Sequence, residues 1–123
     1  NENYKLQIEK TISLVQKNIP KGAPILILGA AGVGKSTLAH IIKDHSKNNV
    51  RIFEDIHLLD EVKQFELLKQ FENKDKNEQW ILTSDLSLQS KIQQNLFRRD
   101  LFFKLAVHVV KIPDLKSRSE DIL

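Results

Sequence analysis

The sequence has no cysteine, no methionine and no long hydrophobic run. Without cysteine it can form neither a disulfide framework nor a thiolate metal site, which agrees with a cytoplasmic location. No apolar run approaches the ~20 residues that a membrane-spanning helix needs, and the polar residues 1–10 lack the apolar core of a signal peptide. Since an initiator methionine is also absent, we expect the chain to be a domain excised from a longer protein.

Size and charge indicate a single soluble domain. The 123 residues suit one hydrophobic core and contain no internal repeat, low-complexity tract or Pro/Gly-rich linker. Lysine and arginine number 19 against 16 acidic residues, a net charge of +3. Because both signs are mixed along most of the chain, we interpret them as solvated helix faces rather than as a nucleic-acid-binding face.

Hydrophobic periodicity predicts alternating strands and helices. Short apolar runs indicate strands, whereas apolar residues at helical spacing indicate amphipathic helices. The predicted strands are residues 24–28, 50–53, 80–83 and 107–112. The first two predicted helices are residues 4–19 and 35–45. A third contains Leu58, Val62, Phe65 and Leu68 and runs to about Glu72. Two more follow, one marked by Leu88, Ile92 and Leu96, and a short one with Leu101 and Leu105. This alternation is typical of an α/β fold with a parallel sheet flanked by helices.

A phosphate-binding loop follows the first predicted strand. Residues 29–36, GAAGVGKS, match the pattern G-x-x-x-x-G-K-[ST] in full. The glycines let backbone N–H groups curl around phosphate oxygens at the positive end of the next helix. Lys35 would reach the β- and γ-phosphates, and the Ser36 hydroxyl would bind Mg²⁺. We therefore predict binding of ATP, or a closely related nucleoside triphosphate, by Gly29, Ala30, Ala31, Gly32, Val33, Gly34, Lys35, Ser36 and Thr37.

Two acidic residues follow the second predicted strand. Glu54 and Asp55 stand where a P-loop protein needs carboxylates, at the end of a strand near the phosphates. Glu54 is the candidate for holding Mg²⁺ through water, and Asp55 is the candidate for polarising the attacking water. Together with the P-loop, this pair predicts a site for a nucleotide and a bound Mg²⁺ ion.

The motifs resemble those of one family, the AAA+ ATPase domain of bacterial sigma-54-dependent transcription activators. Residues 97–105, FRRDLFFKL, are similar to its F-R-x-D-L-[YF]-[YF]-R-L, and residues 112–122, IPDLKSRSEDI, to its I-P-P-L-R-E-R-x-E-D-I. Residues 54–68 follow the spacing of its D-E-I-x-x-L…Q…L-L. The resemblance implies a three-layer P-loop NTPase fold in a transcriptional regulator, such as a two-component response regulator.

The resemblance also implies two further site residues. Arg98 would be an arginine finger that reaches the γ-phosphate in a neighbouring subunit, a role that suits a permanently charged planar donor. Ser84, after Thr83, falls where the family has the asparagine of its sensor. A finger that acts in trans implies that copies of the chain associate and that hydrolysis requires this assembly.

Several positions depart from the family pattern. The order Glu54-Asp55 inverts the family's Asp-Glu, so the presumed catalytic carboxylate is one methylene shorter, and Lys104 replaces a second arginine. Because phosphoryl transfer depends mainly on positioning, we expect impaired hydrolysis. A vestigial, nucleotide-sensing interaction module without turnover is therefore the alternative function. A P-loop kinase or DNA-loading ATPase is a third, which residues 97–105 disfavour.

A deletion separates this chain from the family more sharply. Only Ser46 to Asn49 join the P-loop helix to the second strand, where the family has an edge strand, a helix and the loop G-A-F-T-G-A that touches sigma-54. The chain also ends at Leu123, where the helical lid would begin. We therefore expect no sigma-54 contact of the usual kind, and DNA contact only through other domains.

The short connection also predicts a strand order. It must cross one strand in the right-handed sense, so the P-loop strand should lie beside the strand with Thr83, the 50–53 strand should form the margin beyond it, and residues 107–112 should lie on the other side. Among the remaining residues, we assign the histidines structural or surface roles, since they lack metal-ligand spacing. Trp80 is predicted to lie in the core or at the sheet edge. Phe97, Phe102 and Phe103 are predicted to lie in the core, with an interface as the alternative for one of them.

Overall fold

A computed structural model of the chain describes residues 6, 9–10, 12–13, 17, 19–20, 22–46 and 49–112. Much of the predicted helix 4–19 lies outside these residues; of those described within it, six are helical, among them Leu6 and Ile12, and Ile19 is not. Residues 113–122, with most of the second family motif, also lie outside them. Within the described part of the chain, no helix combines the length and apolarity needed to cross a membrane.

Four parallel strands form the sheet. They are β1 (Ile25–Leu28), β2 (Val50–Phe53), β3 (Gln79–Ser84) and β4 (His108–Lys111). Their order is β2-β3-β1-β4, which confirms the predicted arrangement with β2 at the margin. Ile25 is in register with Ile81 on one side and with His108 on the other. Between His45 and Glu54, the described residues form β2 and no second strand.

Side chains that alternate along the strands supply two cores, one on each face of the sheet. Successive residues of a strand point to opposite faces. Leu26 and Leu82 therefore join one cluster with Trp80, whereas Ile25, Ile27 and Ile81 join the other. Because both faces of the sheet are covered at its centre, the inner strand β1 consists only of apolar residues.

Helices cover both faces. They are α1 (Lys35–His45), α2 (Glu61–Glu72), α3 (Leu88–Gln93) and α4 (Arg99–Leu105), with a 3-10 turn at Ile56–Leu58. Leu38, Ala39 and Ile42 of α1 pack on one face. Residues from the other three helices pack on the opposite face: Leu67, Leu68, Leu88, Leu101 and Leu105. The result is the predicted three-layer α/β arrangement.

The segment after β2 differs from the prediction. A single helix with Leu58, Val62, Phe65 and Leu68 on one face was expected. Leu68 is buried as predicted, but the other three side chains are exposed. The helix starts later because the Asp60 side chain accepts a hydrogen bond from the N–H of Lys63 at 2.8 Å and so caps α2. Its buried face is formed by Gln64, Leu67 and Leu68.

Two other apolar residues in the predicted helices are exposed. Leu96 lies beyond the end of α3 and is exposed. Phe103 is 72% exposed on α4, because Leu101 and Leu105 form the buried side of that short helix. Trp80 and Phe97 are buried as predicted, and Phe102 packs against the same core.

Candidate nucleotide-binding site

The loop between β1 and α1 is shaped by glycine. Gly32 and Gly34 have φ angles of 82° and 92°, in the left-handed region that side chains disfavour. Gly34 is the N-cap of α1, and its carbonyl accepts the N–H of Leu38 at 3.0 Å. The first turn of α1 carries no acidic residue. The N-terminus of α1, with the positive end of the helix dipole, therefore adjoins the loop, an arrangement that binds anions.

Lys35 carries the positive charge of this loop. Its Nζ donates hydrogen bonds to the carbonyls of Gly29, at 2.5 Å, and Ala30, at 3.2 Å. The side chain is buried. The ammonium thus lies inside the curve of the loop, where phosphate oxygens would be drawn to it.

The acidic turn after β2 is tied to β3. Asp55 adopts a left-handed backbone conformation, φ 57°, which aspartate tolerates better than most side chains. Its N–H donates to the Thr83 hydroxyl at 3.0 Å. This bond holds the carboxyl ends of the two strands together, so Glu54 and Asp55 lie beside the P-loop.

A cavity of about 340 Å³ joins these elements, within the ~300–1,000 Å³ of typical ligand sites. The structure therefore gathers the loop, the start of α1 and the acidic turn around one space. Lining residues are Ala31, Gly32, Gly34, Lys35, Ser36, Glu54, Asp55, His57, Thr83 and Asp85.

Other predicted site residues do not line this cavity. Val33 is part of the core, and Thr37 is exposed on α1. Ser84 is fully buried, and its hydroxyl donates to the Asp85 carbonyl at 2.9 Å. Gly29 is closely packed, since a Cβ there would lie 2.8 Å from a methyl of Val33. Gly29 and Ala30 contribute the carbonyls that bind Lys35.

His57 and Asp85 are lining residues that the sequence did not single out. The Nδ1 of His57 accepts the N–H of Asp85 at 3.3 Å, and its Nε2 lies 3.3 Å from the Asp85 carboxylate. Both ring nitrogens thus contact Asp85, which lies 28 residues further along the chain. Since no spacing rule relates such distant residues, no signal short of the fold itself could have paired them.

Asp85 is held as a carboxylate. The Ser87 hydroxyl donates to its Oδ1 at 2.5 Å, and the Ser87 N–H does so at 2.8 Å. Mainly through the hydroxyl bond, and also through the charges of His57 and Lys35, the pKa of Asp85 lies below its ordinary value, although partial burial opposes this shift. The cavity therefore contains a third negative charge beside Glu54 and Asp55.

Arg98 lies outside the P-loop cavity. It lines a second cavity of about 750 Å³, and His57 lines both. Its guanidinium makes two hydrogen bonds to Asp100, at 3.0 and 2.9 Å, which raise the pKa of Arg98 and lower that of Asp100. The same guanidinium lies over the Phe65 ring, with its Cζ 5.4 Å from the ring centroid.

The oxygen donors of the cavity fit a magnesium ion. The Ser36 hydroxyl and the Glu54 carboxylate line the same space, and Mg²⁺ prefers such hard oxygen ligands. Among the described residues, no group of three or more His, Cys, Asp or Glu side chains could hold a metal by itself. An ion here would share its coordination with phosphate oxygens and water, as Mg²⁺ commonly does.

The fold and this loop define a P-loop NTPase of the AAA+ class. Two family models, both described as the sigma-54 interaction domain, match residues 42–115 and residues 3–65. The chain therefore belongs to the sigma-54 interaction domain family, as a reduced form in which four residues replace the GAFTGA segment.

Individual relatives are matched over limited regions. A crystal structure of NtrX from Brucella abortus in complex with ATP superposes with a TM-score of 0.80 at 20% identity and covers 97% of this chain and 39% of NtrX. The pathogenicity locus probable regulatory protein HrpR of Pseudomonas syringae is 44% identical over 45 residues, 37% of this chain and 14% of HrpR. A Streptococcus agalactiae protein named as an ABC transporter ATP-binding protein is 49% identical over 39 residues, 32% of this chain and 7% of that protein. The chain thus spans no more than 39% of the length of any of the three.

Proposed function

We propose that this chain binds ATP with Mg²⁺ at the P-loop and hydrolyses it slowly unless copies associate. The observation that carries the proposal is the convergence of Lys35, Ser36, Glu54 and Asp55 on one cavity at the N-terminus of α1. This arrangement supplies backbone donors and a cation for the phosphates, together with oxygen ligands for a metal ion. The likeness to NtrX, which was crystallised with ATP, is consistent with the same ligand.

Each residue has a distinct task in this proposal. Lys35 binds the β- and γ-phosphates, Ser36 and Glu54 hold Mg²⁺, and Asp55 orients the attacking water. When bound, Mg²⁺ neutralises charge on the phosphates. The Asp55 N–H bond to Thr83 keeps this turn in place at the end of β3.

Arg98 would act on the nucleotide of a second copy. In its own chain it lines the neighbouring cavity and not the P-loop cavity. An arginine supplied in trans stabilises the charge that develops on the transferred phosphoryl group. Self-association through the Arg98 surface therefore completes the site, and an isolated copy hydrolyses ATP barely above background.

Two residues reduce the expected rate even in an assembly. Asp55 reaches one methylene less far than the family's glutamate. Lys104, at the position of the second family arginine, forms an ion pair with Glu72 at 3.1 Å on the surface and cannot donate in the bidentate manner of arginine. Losses of this kind cost on the order of tenfold each and do not simply add.

The biological setting follows from the family. We propose that the chain is the nucleotide-binding part of a cytoplasmic transcriptional regulator, such as a response regulator, whose DNA contact is made by other domains of the same protein. Direct contact with sigma-54 through the usual loop is not part of the proposal, since only Ser46 to Asn49 stand in its place.

One observation favours a second candidate, a nucleotide-sensing interaction module without turnover. The Arg98 guanidinium is engaged by Asp100 through two hydrogen bonds, so acting in trans requires that this pair opens. In this alternative, nucleotide binding changes which partners the domain contacts, and no phosphate is released.

Steady-state phosphate release, measured against protein concentration, separates the two candidates. The variants are Arg98→Ala, the double exchange Glu54→Asp/Asp55→Glu, and Arg99→Ala as a matched control on the exposed neighbour. We expect the wild-type rate per chain to rise with concentration, and Arg98→Ala to lower it about tenfold or more where copies associate. Arg99→Ala should leave the rate unchanged, and the double exchange should raise it if carboxylate reach is limiting.

Two outcomes decide against parts of this proposal. Robust hydrolysis that is independent of concentration and unaffected by Arg98→Ala would overturn the finger in trans. ATP binding without detectable release at any concentration would establish the sensing module instead.

A further inference from the structure

The sensor position of this chain does not face the nucleotide cavity. Ser84 stands where the family has its sensor asparagine, but its side chain is fully buried, and its hydroxyl is used by the Asp85 carbonyl. Thr83, the neighbouring hydroxyl, accepts the N–H of Asp55. The Ser84 hydroxyl is therefore not directed at the cavity, whereas Thr83 lines it and uses its oxygen to accept from Asp55.

His57 is a second polar side chain on this side of the nucleotide cavity. It lies in the 3-10 turn that follows Asp55 directly, and it lines the cavity together with Lys35, Ser36 and Asp55. The side chain is only 8% exposed. A polar ring that is buried to this extent beside a phosphate-binding loop has few partners besides the protein and the ligand.

The ring is oriented by its contacts. Since Nδ1 accepts the Asp85 N–H, the ring proton lies on Nε2, which is 3.3 Å from the Asp85 carboxylate. The Ser87 hydroxyl and N–H fix that carboxylate. On the other side, the His57 carbonyl accepts Lys91 Nζ at 2.8 Å. The turn is thus held at both its backbone and its ring.

The charges that line the cavity favour a hydrogen-bond donor beside Asp85. Its lining contains three carboxylates, Glu54, Asp55 and Asp85, and one lysine, Lys35. A magnesium ion offsets the charge near Glu54 and Asp55, but it does not supply a hydrogen-bond donor beside Asp85. The Nε2 of His57, 3.3 Å from the Asp85 carboxylate, lies at this position.

We propose that His57, oriented by Asp85, donates its Nε2–H to the terminal phosphate of ATP and so distinguishes ATP from ADP. This inference rests on the proposed nucleotide site and adds the residue that would contact the terminal phosphate there. The Ser87 bonds keep Asp85 in place, and the Nδ1 contact keeps the ring in place, so that the Nε2–H is shared between the Asp85 carboxylate and the phosphate.

Calorimetric titration of the chain with Mg²⁺-ATP and Mg²⁺-ADP tests the inference. His57→Leu removes the donor, His57→Gln retains an N–H near the Nε2 position, and His40→Leu is the control on an exposed histidine of α1. We expect His57→Leu to weaken ATP binding about tenfold while ADP affinity stays within about twofold, which is the loss of one hydrogen bond to a charged group. His57→Gln and His40→Leu should stay close to wild type.

The outcomes separate this inference from the proposed function. If His57→Leu weakens both nucleotides equally, or neither, the inference is wrong while the nucleotide site stands. If the wild-type chain binds neither nucleotide, the proposed function fails and the inference with it.

A measurement on the wild-type protein tests the inference even if the His57 variants do not fold. In ¹⁵N-labelled protein, the Nε2 resonance of His57 should shift on addition of ATP and stay in place with ADP, whereas those of His40 should respond to neither. Equal shifts with both nucleotides, or none with either, would overturn the inference.

Discussion

At the scale of single residues, one hydroxyl lowers the pKa of a carboxyl group beside the P-loop. The Ser87 side chain is the largest cause of the lowered pKa of Asp85. Ser87→Ala should therefore raise that pKa toward its ordinary value of 3.8. Carboxyl ¹³C resonances followed through an acid titration measure the change, with Ser90→Ala, on the exposed side of α3, as the control.

The same change has a defined pH dependence. A carboxyl whose folded-state pKa is lowered contributes stability above its unfolded pKa and loses it as the pH falls through the folded value. Ser87→Ala should thus destabilise the fold at neutral pH, and its difference from wild type should disappear below the folded pKa of Asp85. A difference that persists unchanged in acid would mean that the Asp85 charge is not its cause.

Two glycines with similar backbone conformations should respond differently to alanine. Gly22 and Gly32 have φ angles of 87° and 82°, so a side chain is strained at both. At Gly22, however, a Cβ would overlap the Lys76 carbonyl oxygen, whereas at Gly32 no atom lies within 4 Å. We expect Gly22→Ala to lower the free energy of unfolding by about 2–4 kcal/mol and Gly32→Ala by about 1 kcal/mol.

Urea unfolding, followed by the fluorescence of the single, buried tryptophan Trp80, measures both variants. Equal losses would show that backbone strain alone determines the cost and that the loop at Lys76 moves aside.

At the scale of elements, a buried glutamine joins α2 to the segment before α4. The Nε2 of Gln64 donates to the carbonyls of Leu59 and Leu96, both at 2.9 Å, and its Oε1 accepts the Arg98 N–H at 2.8 Å. Gln64→Leu would leave these three backbone groups without their partner. We expect the free energy of unfolding to fall by about 2–4 kcal/mol, since each buried unsatisfied group costs about 1–3 kcal/mol.

The control for this variant is Gln70→Leu, an exposed glutamine of the same helix, which should change the free energy of unfolding by less than about 0.5 kcal/mol. The same urea titration serves for both. A Gln64→Leu variant as stable as the control would show that water replaces the glutamine at this junction.

This junction also explains why the face of α2 was predicted incorrectly. Periodicity counts apolar residues, so it selected Leu58, Val62 and Phe65, and it could not select a buried glutamine. Gln64 is buried because its amide satisfies backbone groups of two loops, and that geometry exists only in the folded chain. Of the exposed apolar residues, Phe65 lies beneath the Arg98 guanidinium.

Other elements were predictable because their causes are local. The strand β1 and the P-loop follow from an apolar run and a glycine pattern, and the strand order follows from the short connection and the right-handed rule. Contacts between distant segments were not predictable in this way. The His57–Asp85 pair and the burial of Ser84 depend on how the ends of β2 and β3 meet.

At the scale of the whole molecule, the topology locates the site. The chain passes from β1 outward to β2 on one side and later places β4 on the other side of β1. In open α/β sheets, ligands bind outside the carboxyl ends of the strands at such a reversal. The turns after β1, β2 and β3 meet there, which is why three separate sequence segments line one cavity.

The central claim is that this cavity binds ATP through the P-loop. A calorimetric titration of Mg²⁺-ATP into the wild type, Lys35→Ala and Lys43→Ala tests this claim most directly. Lys43 is the matched control, an exposed lysine in the last turn of the same helix. We expect Lys35→Ala to weaken ATP binding about tenfold or more, because it removes the cation that faces the β- and γ-phosphates, and Lys43→Ala to bind as wild type does. Equal affinity for ATP in the Lys35→Ala variant and the wild type would contradict the claim.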